Sequence, residues 1–99
     1  MLYAIVAKDV EGSLEKRKAA RPAHMQRMQQ LLADGRVVLA GPMPAIDSPD
    51  PGPSGFAGGL IVAEFESLEA ARAWIEADPY VTEGIFASVS IKPFLQVLP

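Results

Sequence analysis

One histidine and no cysteine bound the side-chain chemistry open to this chain of 99 residues. His24 is the residue whose ordinary titration lies near neutrality, which suits it to moving protons. At about 100° per residue, Arg17, Ala20, His24, Met28 and Leu31 fall on one helical stripe, Arg17 only if the helix stays regular past Pro22, and Met25 and Leu32 share roughly that face. The stripe predicts that His24 points inward or along the edge of a buried face. Two readings follow: a packed histidine satisfied by a carbonyl, or a general acid–base group. Asp78 is the second candidate. It stands just before Pro79, where the chain leaves helical geometry. At a helix C-terminus a carboxylate faces the negative end of the dipole, at a cost of a few tenths to about 1 kcal/mol. A nearby cation or proton, from His24 or Arg17, would relieve it; the plain alternative is an ordinary Asp-Pro turn. Arg17 and Arg21 add planar forks able to hold a carboxylate or enolate oxygen.

The same residue types exclude other chemistries. Without cysteine there are no thiolate nucleophiles, iron–sulfur clusters or disulfides. A lone histidine leaves no multi-histidine metal site, and no metal or cofactor is expected. Asp47 and Asp50 lie in Asp-Ser-Pro-Asp, which reads as turn chemistry. Gly55-Phe56-Ala57-Gly58-Gly59 lacks the Lys-Ser/Thr and the following helix of a phosphate loop. Ser48 and Ser54 have no nucleophile-elbow context. The net charge is −3, with six basic against three acidic residues over 1–33 and three against nine over 34–99. Such a balance argues against nucleic acid as a partner, while the local basic cluster suits a small anionic ligand. No apolar run approaches the roughly 20 residues of a membrane helix. The first residues carry no basic n-region or small-residue cleavage site. A cytoplasmic location is therefore expected.

The elements that must position these groups can be read in order. Leu2–Ala7 is a run of strand formers. A helix is expected over 14–33, broken by Pro22 into a short piece at 14–20 and a main helix from about 21, stopping at Asp34-Gly35. Residues 36–41 form a second strand. Pro42–Gly59, with five prolines and four glycines, reads as a long loop, neither core strand nor helix, and a candidate lid. Gly59–Phe65 is a third strand. Ser67 is placed to cap a second helix carrying Leu68, Ala71, Trp74 and Ile75 up to Pro79. Residues 87–97 alternate as a fourth strand, with Pro93 implying an edge or a bulge. The order is βαββαβ, predicting a single α+β domain over 1–99 with a ferredoxin-like antiparallel sheet. The first three strands are apolar at nearly every position, a pattern of burial on both faces. Two helices cover only one face, so a second copy of the chain, a homodimer through the open sheet face, is expected to cover the other.

The residues also carry a resemblance that spans the whole chain. Ser13-Leu14-Glu15-Lys16-Arg17 with Arg21-Pro22-Ala23-His24, Ala40-Gly41-Pro42-Met43-Pro44-Ala45, Phe65-Glu66-Ser67-Leu68-Glu69-Ala70-Ala71, Asp78-Pro79-Tyr80 and Val89-Ser90-Ile91-Lys92-Pro93-Phe94 are similar to the YciI-like protein family. The resemblance implies a ferredoxin-like subunit of a dimeric α/β barrel. It also implies a site centred on a His/Asp pair, matching His24 and Asp78. One branch of that family resembles dehydrochlorinases of chlorinated hydroxyquinols, and more distant relatives are similar to muconolactone isomerases. The expectation is an enzyme using the dyad for cofactor-independent lyase or isomerase chemistry on a small anionic or phenolic substrate. Arg17 and Arg21 would bind that substrate and the 42–58 loop would close over it. The alternative is a non-catalytic dimeric module binding a small metabolite or a protein.

Overall fold

Leu2–Ala7 becomes the centre of an antiparallel sheet because strand formers on both sides supply it with partners. A computed structural model describes residues 1–99. The chain runs β1 (Leu2–Asp9), α1 (Leu14–Ala33), β2 (Val37–Pro44), β3 (Phe56–Glu64), α2 (Leu68–Glu76), α3 (Pro79–Thr82) and β4 (Phe86–Phe94), with a 3₁₀ turn at Gly52–Ser54. The four strands lie in the order β2-β3-β1-β4, the ferredoxin-like arrangement. Within one chain the sheet is open, with β2 and β4 as its edges. No helix is long and apolar enough to cross a membrane.

Register decides which side chains meet the helices. Ile5 pairs with Ile61 on one side and Ile91 on the other, and directly paired side chains share a face. These three join Tyr3 and Ala63 under Met28 and Leu31 of α1 and Ala71 and Ile75 of α2 to form the main core. Val6 pairs with Leu60 and Ser90 on the opposite face. There Val6 is 44% and Leu39 48% exposed. Serine and lysine in β4 alternate onto this side, so its apolar part is centred on β1, β3 and β2.

The helices and edges depart from expectation in three places. The helix over 14–33 is continuous and carries Pro22 inside it. Proline removes one backbone donor, but Pro22 and Lys18, whose carbonyl loses its partner, are both exposed, and water can replace the bond. Leu32, expected in the core with Met28 and Leu31, is 54% exposed: one step round the helix turns it past the stripe. The proline-rich stretch is also shorter as a loop than its composition implies. β2 continues to Pro44 and β3 begins at Phe56, with Pro42 opposite Gly59 and Pro44 opposite Phe56. An edge strand needs only alternate donors. The Ala45 amide bonds the Gly55 carbonyl at 2.9 Å, so donors at 42 and 44 would point away from β3. Within the remaining turn, the Ser48 hydroxyl and Asp50 carboxylate bond neighbouring backbone, as turn residues do.

Candidate functional site

The Asp-Pro dipeptide at 78–79 organises the site. Ala77 ends α2, and Asp78, in extended geometry, caps the short α3 by accepting the Tyr80 amide at 2.9 Å. Asp78 therefore lies at the start of a helical turn, not at the negative end of α2. The reason is Pro79: it cannot continue α2, but its fixed φ suits the first position of the next turn. Asp78 is completely buried.

Two side chains of α1 reach this carboxylate. His24 Nδ1 lies 2.9 Å from Asp78 Oδ1, and Arg27 Nη1 donates to Oδ2 at 2.9 Å. Arg27 also donates to the Trp74 carbonyl at 2.8 Å, in the last turn of α2, and stands 4.6 Å above the Trp74 ring. Burial pushes the Asp78 carboxyl up, but the hydrogen bonds from His24 and the Tyr80 amide, the charge of the imidazole when it is protonated, and the Arg27 hydrogen bond outweigh it. The group stays below its ordinary value. An ionised carboxylate has no proton to give, so Nδ1 carries the hydrogen and Nε2 remains for other partners. The Tyr80 ring stacks on the imidazole at 3.9 Å and 11°. Burial raises the Tyr80 phenol, with Arg17 and Arg21 opposing that rise, so it stays protonated at neutral pH.

His24 opens on a cavity of about 210 Å³ between α1 and the helix-facing side of β1, β3 and β2. Ile5, Ala7 and Ile61 of the sheet line it, with Met25 and Met28 from α1 and Ala40, Gly41 and Pro42 from β2; Tyr80, stacked on His24, and Phe86 also border it. Arg17 and Arg21 also line it. Of the 42–58 stretch expected to act as a lid, only Pro42, now part of β2, lines it.

The two arginines differ in freedom. Arg21 is exposed at the rim. Arg17 is buried and gripped by Asp9, with Nε to Oδ2 at 2.6 Å and Nη2 to Oδ1 at 3.0 Å. Nη2 also bonds the Gly58 carbonyl at 2.9 Å, and the guanidinium lies 5.0 Å from the Tyr80 centroid and 5.1 Å from that of Phe56. Arg17 thus neutralises Asp9, not Asp78, while His24 and Arg27 serve Asp78. Arg27 had a signal in the sequence, three residues from His24 and so beside it on the helix. Asp9 had none, because pairing it with Arg17 depends on where β1 meets α1.

Comparison with known proteins agrees with this architecture. The model of the YCII-related domain matches residues 1–95. Protein YciI of Escherichia coli O6:H1 is 59% identical over 97 residues, covering 98% of this chain and 99% of the relative. An uncharacterised protein of Haemophilus influenzae is 47% identical over the same span. Among solved structures, 5-chloro-2-hydroxyhydroquinone dehydrochlorinase from Burkholderia phenoliruptrix, in complex with 2,5-dihydroxybenzoquinone, superposes with a TM-score of 0.85. It is 26% identical, with 96% of this chain and 94% of that one covered.

Proposed function

The chain belongs to the YCII-related domain family, and from that premise we propose that it is a small-molecule enzyme whose His24–Asp78 dyad performs general acid–base chemistry. The observation that carries this reading is the imidazole itself: Nδ1 is held by a buried carboxylate while the ring forms part of a cavity wall. In this reading Asp78 sets the tautomer and Nε2 takes a proton from the substrate and returns it, a contribution of about 10²–10⁴-fold. The substrate is a small anionic or phenolic ring compound. The apolar floor and walls would take the ring, and Arg21, with any donor left on Arg17, would meet its oxygen atoms. The dehydrochlorinase supports a substrate of this kind, since it is crystallised with a dihydroxyquinone. Proton abstraction coupled to elimination or isomerisation suits such a group.

The assembly is proposed as a homodimer through the open face of the sheet. Val6 and Leu39 there, with Met43 37% exposed, form an apolar surface that a second sheet would remove from water. In analytical ultracentrifugation the protein should sediment as a dimer, and Leu39→Lys should shift it to monomer.

The catalytic reading is tested by screening hydroxylated and halogenated quinols and unsaturated lactones against wild type and His24→Ala. Turnover in wild type, reduced by about 10²–10⁴-fold in the variant with the assembly state unchanged, is expected. Equal turnover in both would sink the dyad. A compound that raises the melting temperature yet is recovered unaltered would favour a binding module.

A further inference from the structure

A histidine beside a completely buried carboxylate faces a conflict. If the two stood alone, the buried pair would carry a net charge of −1, and a proton on Nε2 would cancel it. That proton would occupy the lone pair a general base needs. Arg27 removes the conflict. Its Nη1 holds Asp78 Oδ2 at 2.9 Å, on the oxygen His24 does not use. The side chain is absent from the cavity wall and partly exposed, so it can act only through Asp78.

We propose that Arg27 is a positioning residue for the dyad: its charge neutralises Asp78, so that His24 rests as a neutral imidazole with the proton on Nδ1 and the Nε2 lone pair toward the cavity. The inference rests on the dyad reading and adds the group that makes the dyad a base. With Arg27 in place, the trio of Arg27, Asp78 and neutral His24 carries no net charge. Protonating the ring would add a positive charge that nothing balances, since Arg21 on α1 is itself a cation and the Arg17 charge is already matched by Asp9 of β1. From α3 the ring meets Tyr80, whose phenol burial keeps protonated. The strands contribute only apolar side chains and backbone to this cavity, with no charge of their own. The Trp74 carbonyl and ring fix the guanidinium from the far side and join α1 to the end of α2.

Because His24 is the chain's one histidine, its ring nitrogens give unambiguous NMR signals. The experiment titrates them in ligand-free wild type, Arg27→Gln and Arg27→Lys. Wild type should show Nδ1 protonated and Nε2 bare at neutral pH. Arg27→Gln should raise the imidazole midpoint by on the order of one pH unit relative to wild type. Arg27→Lys, which keeps the charge, should leave the midpoint within a few tenths of wild type. An unmoved midpoint in Arg27→Gln, an equal shift in both variants, or a wild-type ring protonated on Nε2 would overturn the proposal. Should the glutamine variant not fold, Arg27→Met, which fills the space without the charge, carries the same expectation, and the wild-type tautomer needs no variant. The measurement uses no substrate. A protein that titrates as described but turns nothing over keeps this role for Arg27 and loses only the enzyme reading.

Discussion

Two buried carboxylates receive basic side chains from the same helix, and they do different things. Asp9, at the end of β1, is gripped by Arg17 through both oxygens and by the Ser13 hydroxyl at 2.6 Å. Asp78, at the start of α3, divides its oxygens among the Tyr80 amide, Arg27 and His24. Arginine does not lose its proton at any ordinary pH, so the Asp9 cluster is a clamp that ties α1 to β1 and, through the Gly58 carbonyl, to β3. Histidine is the side chain whose ordinary titration lies near neutrality, so the Asp78 cluster, unlike the clamp, includes a group suited to exchanging a proton. The difference lies in the partner and not in the depth of burial.

That contrast can be broken from either side. Asp9→Ala leaves the buried Arg17 without its counter-charge and should cost about 3–5 kcal/mol in denaturant unfolding. A cost near zero would mean that the clamp is not closed in solution. Asp78→Asn keeps the shape and an acceptor but weakens the charged hydrogen bonds, and should cost about 1.5–3 kcal/mol. It should also lower the His24 titration midpoint, whereas a more conservative change at the clamp, Asp9→Asn, should leave that midpoint in place. If both substitutions move it equally, the two clusters are coupled and the contrast fails. Gly58→Ala probes the clamp from β3. A Cβ there would stand 2.0 Å from the Ala7 carbonyl oxygen, so the strands must part. A loss of about 1–3 kcal/mol is expected, visible as a lower melting temperature.

The smallest effect expected is on acid stability. Asp78 is held below its ordinary value of 3.8 when folded. Its contribution is therefore fully present above pH 3.8 and is lost as the pH falls through the lower, folded value. Unfolding followed from pH 5 downward should show this acid limb in wild type and a shallower one in Asp78→Asn.

Much of this was legible in the residues. Period-two and continuous apolar runs marked the strands, and Ser67 announced α2, where its hydroxyl accepts the Ala70 amide at 3.0 Å. Pro42 and Pro44 misled because composition cannot say which strand is an edge, and only on an edge are missing donors harmless. Pro22 misled in a related way, since its cost depends on whether the orphaned carbonyl reaches water. In the site, His24 and Asp78 could be picked out by their types, yet a separation of 54 positions along the chain conceals their contact.

What the sequence alone determined is the menu: one imidazole, no thiol, arginines gathered on the first helix, and a βαββαβ order that points to the ferredoxin-like plan. What only the tertiary structure decided is the pairing, that Arg17 closes on Asp9 while His24 and Arg27 share Asp78. Helix and strand periodicity are set by neighbours a few residues apart, whereas charge pairing depends on how α1 lies across the sheet and against α3. That docking is fixed by packing spread over the whole chain, and no local pattern records it.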